Sequence, residues 1–489
     1  MQVMPNWLKK RAELTPGRMA VTIGEKSLTY QMLNEEAIIM AKKLAALGVK
    51  EKDRVAVLAQ NSVESVVFMH ALTYLHAVLV PLNIRLSGEE LAWQINDAKA
   101  DFLIYDPVFF KKTEEVRKLS QVEFYSWNEL NKLKEIAVPV LKDHVSLEDN
   151  HTIMYTSGTT GKPKGVVLTY GNHWWSAVSS SLNLGLHLED RWLAATPLFH
   201  MSGLSILIRS VIYGITTVIH EKFDPQKANS AIKNEGVTIV SVVSTMLAQM
   251  LEELGESRYP ESLRCMLLGG GPAPLPILEN CKKRSIPVYQ TFGMTETASQ
   301  VVTLSSEYML EKLGSAGKPL FPAEVKIMED GKELPPEEAG EIIVKGPMVT
   351  KGYWKREEAT AEAIKEGWLY TGDIGYLDKD GFLFILDRRS DLIISGGENI
   401  YPAEIESVLL SHPSVLEAGV AGKEDSKWGQ VPVAFLVTQK DKTVTEQEVL
   451  QYAEAKLARY KVPVKAYFVE ELPRNASKKL LRRKLMDLL

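Results

Sequence analysis

Short apolar runs alternate with stretches of helical period along most of this chain, and that alternation leaves few architectures open. Ala37 to Leu47 carries apolar residues at helical spacing and stops at Gly48, and Val55 to Leu58 follows as a buried strand. Val66 to Leu75 reads as a second helix, Ala77 to Leu82 as a strand, and Phe102 to Tyr105 as a strand ended by Asp-Pro. The pattern returns at Val237 to Val243, Cys265 to Leu268 and Val288 to Phe292. Strands separated by helices specify an α/β fold with parallel layers. After Ser315 the texture changes to short strands between Gly and Pro turns: Glu324 to Met328, Gly340 to Lys345, Gly381 to Leu386. These predict a small β-rich subdomain. The polar pentapeptide Asp387-Arg388-Arg389-Ser390-Asp391 then separates two apolar strands. Beyond it the chain predicts a small α+β domain: helix Ala403 to Leu410, strand Val433 to Thr438, helix Glu446 to Tyr460, strand Lys465 to Val469. The expected division is 1–386, a boundary at 387–391, and 392–489.

At 489 residues the chain is too long for a single core. Hydrophobic residues at 45% and charged residues at 24% belong to a water-soluble globular protein, and a net charge of −5 gives no reason to expect nucleic acid or an anionic membrane as partner. Cys265 and Cys281 make neither a disulfide framework nor a zinc site and read as buried thiols in a reducing compartment. The N-terminus has no apolar signal core. The most apolar stretch, Val66 to Leu82, is broken by His70, His76 and Pro81, so it reads as core rather than membrane span. The expectation is a cytoplasmic protein without membrane insertion; the sequence leaves room for a homo-oligomer.

The functional signal is Thr156-Ser157-Gly158-Thr159-Thr160-Gly161-Lys162-Pro163-Lys164-Gly165, after the apolar strand Ile153 to Tyr155. Such a loop can wrap polyphosphate: glycines admit backbone N–H groups and lysines offset charge. It is not a Walker A loop, because Pro163 follows Lys162.

Taken with four further stretches, this loop resembles the adenylate-forming superfamily of acyl-CoA synthetases, peptide-synthetase adenylation domains and luciferases, over essentially the whole chain. The stretches are Pro197 to Leu204 (Pro-Leu-Phe-His-Met-Ser-Gly-Leu), Leu268 to Pro274, Gln290 to Thr297 and Ser315 to Leu320. Within the superfamily they are most similar to the o-succinylbenzoate–CoA ligases of menaquinone biosynthesis. The resemblance implies a two-step reaction: a carboxylate attacks the α-phosphorus of ATP, then the thiol of coenzyme A displaces AMP, with the C-terminal domain rotating between steps about a hinge at 387–391. It implies ATP and coenzyme A as substrates and Mg²⁺ as cofactor.

The same resemblance assigns residues. Lys479 would bridge the acyl carboxylate and α-phosphate; it follows Lys478 where the family has glycine. Glu296 would hold Mg²⁺ and Thr295 the α-phosphate, although Thr followed by an acid also suits a helix start. Thr156 through Lys162 and Lys164 would cradle the phosphates. Gly269, Gly270, Gly271, Phe292 and Gly293 would surround adenine and the acyl group, although Gly269–Gly271 alone suits a turn and Phe292 alone suits a core. Asp373 would hold the ribose, and Arg388 would add a donor to the same ribose or to the phosphate. Ser390 stands at the hinge position, where the family has Asp or Lys. Gly396 and Gly397 would line the coenzyme A channel. His200 alone reads as a core histidine; its context makes it a gate between acid and ATP sites. Ser202, Ile206 and Arg209 fall near one helical face, and Arg209 could face an acid with a second carboxylate or carry its head to the surface.

Three other readings compete. An amino-acid adenylation domain needs an acid near position 200, where this chain has Phe199-His200-Met201-Ser202. An inactive nucleotide-binding homologue should have lost Lys479, Glu296 or Asp373, and all three are present. A light-emitting or monooxygenase homologue shares the same motifs.

Overall fold

The computed structural model describes residues 2–133, 141–156, 163–271, 273–388, 391–395, 398–425, 428–440, 442–457, 459–474 and 480–489. Two sheets form the large N-terminal part. A six-stranded sheet runs in the order Lys164–Thr169, Asn150–Thr156, Val78–Pro81, Arg54–Leu58, Phe102–Tyr105, Glu123–Ser126; only its first pair is antiparallel. A longer sheet has a parallel centre: Val288–Met294, Cys265–Leu268, Ile239–Val242, Arg191–Ala194, Thr216–Ile219 and Met19–Ile23.

Helices fill the space between the sheets. One core cluster joins Leu33, Ala37 and Leu44 of the helix Tyr30–Ala46, Phe68 and Leu72 of Val63–Leu75, and Leu204 and Val211 of Met201–Tyr213. Leu79 and Leu168 from one sheet and Val21 and Ile219 from the other enter the same cluster. This explains the most apolar stretch of sequence: Val66 through Leu75 are all buried because sheets cover the helix on both sides. Among the described residues no helix is long and apolar enough to cross a membrane. Cys265 and Cys281 are both buried and free.

Four expectations shift. The helix expected from Ala37 begins at Tyr30, because Thr29 Oγ1 accepts from Met32 N at 3.2 Å and caps its first turn. The β-rich part is not a separate sheet. Ser299–Leu304 pairs antiparallel with Val288–Met294, Ser315–Pro319 follows, and the ladder continues through Leu383–Arg388, Trp368–Leu377, Gly340–Lys345 and Glu324–Glu329. In the C-terminal part, Gly429–Thr438 is longer than expected because it forms a hairpin with Val415–Asp425, which the sequence did not announce. The helix expected to reach Tyr460 ends at Glu454, where Lys456 N and Leu457 N both bond to Ala453 O and turn the chain so that Leu457 and Val462 pack against the domain core.

Candidate active site

The candidate phosphate loop is flanked by the antiparallel strands Asn150–Thr156 and Lys164–Thr169, with Thr156 opposite Lys164. Ser157, Gly158, Thr159, Thr160, Gly161 and Lys162 lie outside the described residues. Lys164 Nζ sits 5.0 Å from the centroid of the Tyr353 ring. The Tyr353 hydroxyl donates to Glu296 Oε1 at 3.1 Å. Backbone bonds hold this segment in place: Trp354 N donates to Gly165 O at 2.7 Å, Val167 N to Gly352 O at 3.0 Å, and Thr350 N to Glu296 O at 2.7 Å. Burial, and then the charge of Glu296, raise the Tyr353 hydroxyl pKa, so it stays a donor near neutral pH. Sequence reading missed Tyr353; its one local sign is an aromatic pair after Gly352.

Glu296 sits on a single 3-10 turn, Thr295–Thr297, where a helix start was the alternative. The turn links two antiparallel strands so tightly that a Cβ on Gly293 would lie 2.1 Å from Ser299 O. Ala298 (φ 50°) and Ser299 (φ 109°) lie at positive φ, a strain of the kind that gathers at sites. Glu296 is buried at 6% exposure. Among the described residues there is no cluster of three or more His, Cys, Asp or Glu side chains able to hold a metal. A magnesium ion carried by phosphates needs only one or two protein carboxylates, and an oriented buried carboxylate fits that need.

The glycine run follows the strand Cys265–Leu268. Gly269 N extends the ladder to Val242 O at 3.0 Å, and Gly270 (φ 85°) takes a conformation that favours glycine. A Cβ on Gly269 would touch Thr291 Cγ2 at 3.5 Å, so the run lies beside the strand that leads into Glu296. Phe292 points the other way from its neighbour Thr291, into the core with Val301, Ile342 and Leu383. Asp373 is nearly buried, its N–H donates to Thr371 Oγ1 at 3.1 Å, and it stands opposite Arg388 in the antiparallel pair.

His200 precedes the helix Met201–Tyr213, its ring 4.6 Å from that of Phe199. The loop before it is pinned by Asn61, a residue sequence reading missed: its amide donates to Thr196 O and His220 O, each at 3.0 Å, and accepts from Leu198 N at 2.9 Å. Ser202 and Arg209 share a helix but not an environment: Ser202 is exposed, Arg209 only 2% exposed. Arg209 does not snorkel. Its guanidinium lies 5.7 Å from the Trp192 ring and donates to Ser176 Oγ at 3.1 Å, and Ser176 Oγ donates to Ala298 O at 2.7 Å. Among the described residues no carboxylate pairs with Arg209, and burial pulls its pKa below the ordinary value.

Lys479, Ser390, Gly396 and Gly397 lie outside the described residues, as does the side chain of Arg388. The boundary itself is well described on its flanks. Leu383–Arg388 belongs to the N-terminal sheet through Arg388, two residues into the expected hinge. Arg482, near the C-terminus, donates to three carboxylates: Asp387 at 2.8 Å, Asp391 at 2.9 Å, and Glu406 at 2.9 and 2.7 Å.

The described parts of the site thus bring a lysine, a phenol and a buried carboxylate together, at the end of a strand that runs past a glycine run. A sequence model of the AMP-binding enzymes matches residues 8–354, and that of their C-terminal domain matches residues 404–479. The chain belongs to the AMP-binding enzyme family. Among relatives within that family, the 2-succinylbenzoate–CoA ligase of Geobacillus kaustophilus is 58% identical over 489 residues, covering 100% of this chain and 99% of the relative. Among solved structures, the o-succinylbenzoate CoA synthetase of Bacillus subtilis in complex with its acyl-adenylate intermediate has a TM-score of 0.95 at 52% identity, covering 99% of this chain and 98% of that one. A double mutant of the same synthetase, bound with a product analogue, has a TM-score of 0.78 at 52% identity, with 99% of each chain covered.

Proposed function

We propose that this AMP-binding enzyme ligates o-succinylbenzoate to coenzyme A in two steps. The acid's carboxylate attacks the α-phosphorus of ATP and pyrophosphate leaves; the thiol then attacks the acyl carbonyl and AMP leaves. Full-length identity of 58% to a ligase of that name carries the reading. The first step joins two anions, so the site must offset charge as the bond forms. Magnesium, bound with the triphosphate, would supply part of that charge. Glu296 would hold it, and Tyr353 keeps the Glu296 carboxylate oriented. Lys164 and the loop from Thr156 to Lys162 would take the phosphates, Gly269–Gly271 and Gly293 the adenine side, and Asp373 with Arg388 the ribose. Thr295 would bond the α-phosphate, and Lys479 would bridge it to the acid. Ser390 would serve as hinge, and Gly396 and Gly397 would let pantetheine through. The reacting carboxylate needs no base, being ionised near neutral pH. The two buried thiols suit a reducing compartment, and we place the protein in the cytoplasm.

His200 and Ser202 would border the acid. Arg209, a buried cation without an acidic partner among the described residues, is the candidate for the second carboxylate. A second reading has its own observation: through Ser176, Arg209 fixes the Ala298 carbonyl and so the Glu296 turn. Arg209→Met separates them. A recognition role raises KM for o-succinylbenzoate by about a hundredfold and spares a monocarboxylic aryl acid; a turn-fixing role lowers kcat for both.

The decisive experiment measures both half-reactions with purified protein, ATP, Mg²⁺ and a panel of acids, with and without coenzyme A. The panel includes benzoate, 4-coumarate, a medium-chain fatty acid and amino acids. Thioester formation with o-succinylbenzoate alone supports the proposal. Activity with a different acid would keep the chemistry and discard the substrate, and no adenylate with any acid would favour an inactive homologue.

A further inference from the structure

The helix Pro402–Leu410 opens the C-terminal domain, yet its own N-cap residue, Tyr401, makes no side-chain cap. The cap comes from the other side of the boundary: Ala403 N donates to Asp387 Oδ2 at 2.7 Å. Asp387 is locked into the N-terminal sheet by its pairing with Ile374. Its other oxygen, Oδ1, accepts from Arg482 at 2.8 Å. Arg482 in turn holds Glu406 through both its Nε and a terminal nitrogen, and Glu406 Oε1 also accepts from Val420 N at 2.8 Å. Asp391, next to Ser390, takes a further bond from Arg482. Glu406, Asp391 and Arg482 all lie after Ser390, the proposed hinge residue, so they travel together when the C-terminal domain turns. Asp387 stays behind. Its bonds to Ala403 N and to Arg482 are among those a rotation about the backbone between Arg388 and Asp391 must break. Arg482 faces three carboxylates with one charge, and these charges favour its protonated form.

We propose that Asp387 and Arg482 form a latch across the hinge, closed in the orientation described here and open in the other, so that they are positioning residues for adenylation. The reading rests on the two-step reaction proposed above. The orientation described here is the one shared with the acyl-adenylate complex; the product-analogue complex differs from it in TM-score.

The test uses full-length Asp387→Asn, which keeps an acceptor for Ala403 N and leaves Arg482 its Glu406 and Asp391 partners. Arg482→Gln is the companion; should it fail to fold, Asp387→Asn carries the test alone. One readout needs no activity: spin labels on the two domains report their distance distribution. The latch predicts that Asp387→Asn moves population from the orientation seen here to a second one, by about tenfold in the ratio. The second readout is kinetic. Acid-dependent ATP–pyrophosphate exchange should fall about tenfold, while thioester formation from supplied acyl-adenylate stays within about twofold. An unchanged distance distribution, or equal loss of both half-reactions, overturns the latch. A shifted distribution with no exchange in the unmodified protein supports the latch and strikes at the reaction instead.

Discussion

Glu296 and Asp387 are equally buried carboxylates, each 6% exposed, yet they are held in different ways. Glu296 is oriented from within one domain: its backbone accepts from Thr350, its carboxylate from Tyr353, and Tyr353 runs beside the phosphate-loop strand. Asp387 is oriented from across a boundary, by a guanidinium and a helix start that belong to the C-terminal part. The first arrangement fixes charge before substrate arrives, which is what preorganised electrostatic catalysis requires. The second makes a strong contact that can be undone as a unit. Burial does not separate the two; the provenance of the partners does.

The contrast can be pressed hardest at Lys479. If it is carried in by the latched domain, Lys479→Ala should cut pyrophosphate exchange by about a thousandfold and leave thioester formation from supplied acyl-adenylate nearly intact. Equal loss in both half-reactions would remove the distinction between fixed and delivered charge. Next in size, Glu296→Gln keeps the shape but removes the charge, and adenylation should drop about a hundredfold with Mg²⁺ dependence shifted to higher concentration. Its interdomain distances should match those of the unmodified protein; a shift would mean that the fixed site also governs orientation. Tyr353→Phe sharpens the same point at about tenfold on adenylation, with the fold retained, since a single hydrogen bond to a charged group is lost. An unaltered rate would deny Tyr353 its orienting role.

A last effect concerns acid stability, not rate, and should be confined to the N-terminal domain. Burial pushes His70 down to about 4 and His173 to about 3, the latter also feeling Arg209, and it pushes His151 down as well. These histidines are neutral when folded and titrate near 6.5 when unfolded, so the unfolded chain binds more protons as pH falls. Their contribution is therefore intact above about pH 6.5 and lost progressively below it, on the order of 2 kcal/mol per fully buried histidine between pH 7 and 5. Thermal melts with a probe in each domain check this. An N-terminal transition that does not move over that range would contradict the burial.

What could be read in the sequence was local. The glycine- and hydroxyl-rich loop, the run Gly269–Gly271, and the polar break at 387–391 each carry their signal in adjacent residues. Strand Cys265–Leu268 and strand Gly340–Lys345 begin and end where the apolar pattern places them. The partnerships that orient the site were not legible, because they join distant positions. Tyr353 meets Glu296 across 57 residues, Arg482 meets Asp387 across 95, and Asn61 meets Thr196 across 135. Arg209 shows the same limit from the other side: helical spacing placed it on a face with Ser202, but only packing shows that one is exposed and the other enclosed. The β-rich segment was legible as short strands, with Gly381 to Leu386 observed as Leu383–Arg388, but not its continuity with the longer sheet, since apolar alternation says nothing about which sheet a strand joins.

The borrowed cap on the helix Pro402–Leu410 bears on how this protein could be taken apart. A C-terminal fragment cut after Arg388 would begin without the acceptor for Ala403 N and without one of the counter-charges for Arg482. Losing such a cap costs about 1 kcal/mol, a large share of what holds a domain of this size together. A graft of this domain onto another body should therefore carry the junction upstream of Asp387, or supply an acid at that place. The unit that can be inherited whole starts inside its neighbour's sheet.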